Sequence, residues 1–154
     1  MRQDAFGTMR LRQLPAGIEA LRLAARNEGF RFVERLVAEW HAGINRFDQP
    51  GEVLLGATHA DALVAICGLN RDPYAADPGI ARLRHLYVLP RFRRQDIATG
   101  LVSQVLRQAE DVFQTIRLRT ETREAARFYE RHSFIAVEGD DASHVKPLSP
   151  LLGG

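Results

Sequence analysis

The sequence predicts a mixed α+β domain built on a single sheet, and three observations carry that prediction. The chain has 154 residues, 45% of them hydrophobic and 26% charged, which suits one soluble globular domain with a real core. Apolar residues switch between alternating runs and helical spacing in the order β-α-α-β-β-β-α-β-α-β-β. Within that order, three consecutive strands lead into a strand–helix–strand unit. That pattern gives an antiparallel meander feeding a parallel pair through a right-handed crossover. One domain is expected over residues 9–148, with a flexible leader at 1–8 and a flexible tail at 149–154.

Each element has its own signal. MRLRQL (9–14) alternates apolar and polar residues like a half-buried strand, and Pro15 and Gly17 break it. IEALRLAARNEG reads as a helix closed by Gly29. Phe32, Val33, Leu36, Val37 and Trp40 then mark one face of a second helix. EVLLGAT and ALVAICGLN, separated by HAD, form a hairpin of buried strands. ARLRHLYVL alternates, with Leu83, His85 and Tyr87 expected on one face and Arg84, Leu86 and Val88 on the other. Leu101, Val102, Val105, Leu106, Ala109 and Phe113 line a long amphipathic helix. TIRLRT is a short strand, TREAARFYERH a helix, and FIAVEG and SHVKPL are the last strands.

Composition narrows the function. Lys+Arg number 21 against 19 Asp+Glu, a net charge of +2, so no bulk field argues for nucleic acid. The single cysteine, Cys67, excludes an internal disulfide and a cysteine zinc site, and its apolar run makes it a buried thiol. No metal site is expected. Neither a stretch of about 18 apolar residues nor a signal-peptide core is seen, and a cytoplasmic location is expected.

The informative stretch is LYVLPRFRRQDIATGLV (86–102). A strand, a basic turn and a helix N-terminus make an anion site from free backbone N–H groups and the helix dipole. Arg91, Arg93 and Arg94 would suit a phosphate or pyrophosphate, since guanidinium forks match its oxygens. The alternative is a solvated basic turn, and no GxxxxGK[ST] or GxGxxG motif is present.

This stretch resembles the acetyl-CoA signature of the GNAT superfamily of N-acetyltransferases. Arg93-Arg94-Gln95-Asp96-Ile97-Ala98 stands at its R-x-x-G-x-G/A, after a hydrophobic-x-Val-x-Pro. RTETREAARFYERHSF resembles the second signature, with Thr122 at its Asn, Ala125 at its Ala, Phe128-Tyr129 at its aromatic pair and Ser133-Phe134 at its Gly-Phe. The resemblance covers roughly residues 9–148. It implies a single mixed sheet of six to seven strands with flanking helices, whose central parallel strands splay apart to admit pantetheine. It further implies acetyl-CoA as cosubstrate, contacted by Leu86, Tyr87 and Val88 along the strand and by Thr122. Arg93, Arg94, Gln95, Asp96, Ile97, Ala98 and Thr99 would form the pyrophosphate turn. Tyr129 would be the general acid that protonates the departing thiolate, and direct transfer to a primary amine of a small molecule or peptide would follow. Homodimers are common in that family.

Asp96 departs from the pattern's glycine. Glycine permits a positive φ there, which aspartate tolerates better than most residues. Its carboxylate is expected either to cap the helix at the Ala98 or Thr99 amide or to pair with Arg93 or Arg94. Many relatives carry a strand Glu as base, and Arg82 stands near that place here. His85 is the candidate base, with a pKa suited to the task, and His144 is a second. Glu121 and Glu124 are expected to be solvated, and His41 and Asp48 to decorate the acceptor side. The competing reading is a degenerate module that binds CoA weakly or not at all.

Overall fold

The computed structural model describes residues 6–148. The expected tail at 149–154 lies outside them, as do residues 1–5 of the expected leader. The elements are β1 (Gly7–Arg10), α1 (Ile18–Asn27), α2 (Phe32–Ala42), β2 (Val53–His59), β3 (Ala62–Arg71), β4 (Ile80–Val88), α3 (Ile97–Glu110), β5 (Thr115–Leu118), α4 (Arg123–Arg131), β6 (Ile135–Ala136) and β7 (His144–Pro147). A 3-10 turn at Pro90–Phe92 links β4 to α3. Seven strands form one open mixed sheet in the order β1-β2-β3-β4-β5-β7-β6, and only β4 and β5 run parallel. No helix of the described residues is long and apolar enough to cross a membrane.

The alternation of strand side chains divides the core into two layers. Leu54, Ile66 and Tyr87 face α1 and α2, where Leu21, Val33, Leu36 and Trp40 meet them. Val53, Leu55, Val64, Leu83 and Val88 face the other way, onto Leu101, Val102 and Val105 of α3 and Tyr129 of α4. Burying each of these aliphatic side chains contributes about 1.5–3 kcal/mol. Gly29 ends α1 as expected: its φ is +89°, its N–H reaches Arg26 O, and the Phe30 N–H reaches back to Ala25 O.

Three expectations need correction. The first strand begins at Gly7, inside the expected leader, and Phe6 packs 5.1 Å from the His59 ring, so order starts before Met9. The strand also ends at Arg10, although the Leu11 N–H still reaches Leu54 O. In β4 the expected faces fail because the strand bulges. Gly68 pairs with Arg84 but Ile66 with Tyr87, so three steps on β4 oppose two on β3, and His85 has a φ of +61°. The extra residue reverses the alternation: Leu83 shares a face with Leu86 and Val88, while His85 and Tyr87 turn toward α2.

The strand pair that matters most is short. Ile80, Ala81 and Arg82 pair with Thr115, Ile116 and Arg117, and beyond them β4 has no β5 partner. Leu83–Val88 therefore borders a gap on that side, closed at its base and open above.

Candidate active site

At the top of β4 the chain turns through Pro90–Phe92 and enters α3 at Asp96. Arg94 and Asp96 both lie in the left-handed region, at φ 66° and 65°. Asp96 thus adopts the backbone a glycine would supply. Its side chain makes no cap bond and no ion pair, so neither expected role for the carboxylate is realised; it points into solvent from an exposed position. The Gly100 N–H closes the first turn onto Asp96 O. The amides of Ile97, Ala98 and Thr99 precede the first intrahelical bond and have no side-chain cap. An uncapped helix N-terminus beside Arg91 and Arg94 fits a pyrophosphate.

Arg93 is committed elsewhere. Its guanidinium donates to both oxygens of Glu28, at 2.9 and 2.7 Å, and its Nε donates to Val88 O at 2.9 Å. The Tyr87 hydroxyl donates to the same carboxylate at 2.5 Å, and Arg93 lies over the Tyr87 ring. The hydrogen bond from Arg93, chiefly, holds the Glu28 carboxyl below its ordinary pKa, and burial with the Glu28 bond pushes the Tyr87 phenol up. This three-residue tie joins the end of α1 to the turn between β4 and α3. Arg93 is corrected from a phosphate ligand to a strut. Glu28 carries no motif, and its part was invisible in the sequence.

Tyr129 lies on α4, its ring packed 5.6 Å from Phe134 and 5.2 Å from Phe128. Burial raises its pKa well above the usual phenol range, so the hydroxyl keeps its proton. Among the described residues, five side-chain polar atoms are enclosed without a partner, and the Tyr129 hydroxyl is not one of them. It has no hydrogen-bond partner there either, so its oxygen reaches solvent. Thr122 caps α4: its Oγ1 accepts from the Ala125 N–H at 3.1 Å, leaving the hydroxyl proton to donate.

The two histidines differ from expectation. His85 is enclosed between Phe32 and Phe47, neither ring nitrogen has a partner, and burial pulls its pKa down to about 3. So weak a proton acceptor is ill suited to deprotonate an amine, and the base role is withdrawn from it. His144 has both nitrogens engaged, Nε2 with Glu130 and Nδ1 with Ser143 Oγ, each at 2.9 Å. Ser143 Oγ also accepts from the Thr120 N–H at 2.9 Å. The Glu130 carboxylate only accepts, so Nε2 carries a hydrogen, and in the neutral imidazole the Ser143 hydroxyl then donates to Nδ1. His144 is a tie between β7, α4 and the end of β5, not a free base.

The remaining expected residues sit as follows. Leu86, Tyr87 and Val88 lie on the upper half of β4, which pairs with β3 but has no β5 partner, and Gln95 reaches Arg91 O with its amide at 3.4 Å. Glu121 and Glu124 are exposed, as is His41. Cys67 is buried, and burial pushes its thiol up to about 12. Arg82, expected near the place of a strand acid, is paired with Asp72 at 3.3 Å.

The sequence profile of the Acetyltransferase (GNAT) domain matches residues 50–136. No curated protein matches the chain in sequence. Among solved structures, a candidate acetyltransferase of Exiguobacterium sp. 255-15 is similar at 23% identity, covering 96% of each chain with a TM-score of 0.85. An acetyltransferase of the GNAT family from Staphylococcus aureus Mu50 is 15% identical over 94% of this chain and 99% of its own, with a TM-score of 0.72. The ribosomal-protein-S18-alanine N-acetyltransferase of Escherichia coli is 16% identical over 94% of both chains, with a TM-score of 0.66. At these identities the structures speak for the fold. The profile covers more than half of the sequence, including the turn into α3 and the whole of α4, and the chain belongs to the GNAT acetyltransferase family.

Proposed function

We propose that the protein is an acetyl-CoA-dependent N-acetyltransferase that passes the acetyl group directly to a primary amine of a small molecule or peptide. The observation that carries this reading is the three-residue pairing of β4 with β5, which leaves Leu83–Val88 as a free strand edge leading to the uncapped start of α3. The edge of Leu86, Tyr87 and Val88 would bind pantetheine. The amides of Ile97, Ala98 and Thr99 would bind the pyrophosphate, with Arg91 and Arg94 as counter-charges and the Thr122 hydroxyl as a further donor. In the reaction the amine nitrogen bonds to the thioester carbonyl carbon and the carbon–sulfur bond breaks. Tyr129 gives its proton to the departing sulfur. A thiol of pKa about 8.5 leaves readily, so a neutral phenol suffices as the acid. The amine's proton passes to water, since the buried histidines are not placed to hold it.

The second reading, a module with weak or no CoA binding, is favoured by one feature: the Asp96 carboxylate beside the pyrophosphate turn. Its exposure weakens that objection, because a solvated charge is screened. Calorimetric titration with acetyl-CoA, for wild type and Asp96→Gly, separates the two. Micromolar binding by wild type, changed less than about threefold in the variant, upholds the transferase. Binding only in the variant means that Asp96 has closed the site, and no binding by either protein overturns the reading.

A further inference from the structure

The bonds around Arg93 reach the free edge of β4 itself. The Leu89 N–H donates to Val64 O of β3 at 2.9 Å, so the peptide between Val88 and Leu89 turns its N–H toward β3. That peptide is trans, and its C=O therefore points the opposite way, to the side where β4 has no β5 partner. The register agrees. Val88 stands opposite Ala65, one step from the bonded position, so its N–H and C=O both face away from β3. Arg93 Nε donates to this outward carbonyl at 2.9 Å. At the top of the gap Arg93 thus takes the place of a β5 donor, which the pairing of Ile80–Arg82 ends too early to supply. The Val88 carbonyl keeps a second lone pair, so the bond braces the edge without closing it.

The other end of the guanidinium is anchored in the core. Nη1 and Nη2 donate to the two oxygens of Glu28. Glu28 closes α1, its N–H bonded to Ala24 O and Ala25 O, and Leu21 and Ala25 of that helix are fully enclosed. The Tyr87 hydroxyl donates to the same carboxylate. Two consecutive residues of the edge, Tyr87 by its side chain and Val88 by its backbone, are thereby referred to one carboxylate fixed on α1. An edge without a neighbour leaves a row of backbone groups unpaired, and an extended arm pairs with them at least cost when they are already held in line. We propose that Glu28 and Arg93 are positioning residues of the cosubstrate site, holding the upper edge of β4 in the alignment that a pantetheine arm needs. This assignment rests on the transferase reading and adds to it Glu28, which lies outside both motifs. It requires arginine, because a guanidinium donates from Nε to one partner and from both Nη atoms to another, whereas an ammonium is a single point of charge.

The experiment is a calorimetric titration of the full chain with acetyl-CoA, for wild type, Glu28→Gln, Arg93→Lys and the double variant, each checked for folding by circular dichroism. Charge and positioning predict opposite signs for Glu28→Gln. Removing an anion beside the site of a polyanion tightens binding, whereas loosening the edge weakens it. The expected result is binding about tenfold weaker, the scale of one hydrogen bond to a charged group. Arg93→Lys keeps the charge and loses the fork, and a similar loss is expected there. The double variant should bind within about twofold of the weaker single one, since both substitutions break the same link. Should a variant fail to fold, Tyr87→Phe, which removes one hydroxyl from the same carboxylate, is expected to weaken binding about threefold. Tighter or unchanged binding in Glu28→Gln, full affinity in Arg93→Lys or in Tyr87→Phe, or losses that add in the double variant overturn the proposal and leave the transferase reading standing. Absence of binding by wild type overturns both.

Discussion

The lower and upper halves of β4 are one continuous strand with opposite duties. In the lower half, Ile80–Arg82 pairs with β5, and Asp72, fully enclosed, accepts from Arg82 Nη1 at 3.3 Å and Arg117 Nε at 2.8 Å. Its other oxygen accepts from the Tyr74 N–H at 2.8 Å, and Arg82 Nη2 donates to Asp141 O at 2.7 Å. The upper half has no β5 partner, carries the bulge at His85, and is held by Phe32, Phe47 and the Arg93 bond to Val88 O. The difference teaches how a sheet keeps an opening at its centre. Charge fixes the register where the two strands meet, and a single inserted residue turns the strand where they part. A buried ion cluster of this sort adds little net stability, because desolvation offsets the attraction, but it is specific about geometry.

The comparison can be broken first at its base. Asp72→Ala leaves Arg82 enclosed without a counter-charge, and urea denaturation is expected to show a loss of about 3–5 kcal/mol. A loss under 1 kcal/mol would show that the cluster does not brace the strands. In the upper half, Tyr129→Phe should keep the fold and lower kcat by about 10²-fold or more, the usual contribution of a positioned acid. An unchanged kcat in a thiol-release assay would remove the tyrosine from the chemistry.

The buried His85 supplies a pH test of the same half. The folded imidazole stays neutral down to about pH 3, whereas the unfolded one takes up a proton near 6.5. Unfolding therefore gains a proton over that interval, and stability should fall by up to about 1.4 kcal/mol per pH unit below pH 6.5. His85→Phe should flatten that slope between pH 6 and 4, and equal slopes in the two proteins would contradict it. The smallest effect is expected at Asp96→Gly. Relief of the left-handed backbone and the added freedom of the unfolded glycine oppose each other, and no cap bond is lost. Thermal denaturation should give a change below about 1 kcal/mol; a larger loss would reveal a capping role in solution.

The order of elements was legible because each carries a periodic apolar pattern or a terminating residue, as Gly29 does for α1. The turn into α3 and the helix that carries Tyr129 were legible through two short motifs. What escaped was whatever depends on contacts between distant residues. The bulge at His85 leaves no mark in ARLRHLYVL, because an inserted residue is recognised only against the partner strand. Glu28 meets Arg93 across 65 positions of sequence, so a basic turn that reads as three free arginines has one of them already paired. Asp72, in a loop rich in Asp-Pro, looked like turn chemistry, and its two arginines lie on strands 10 and 45 residues away.

The sheet's edges have a consequence for the behaviour of many copies together. Among the described residues the outermost strands are short, β1 with four residues on one side and β6 with two on the other, while the strands of seven to ten residues lie inside. A second chain seeking to extend the ladder meets few free backbone groups at either margin, and one exposed large apolar side chain on each edge strand, Met9 and Ile135, offers little surface to hold it there. The long strands β2 and β3 are each covered on both sides by a neighbouring strand. Resistance to edge-to-edge aggregation is thereby built into strand length.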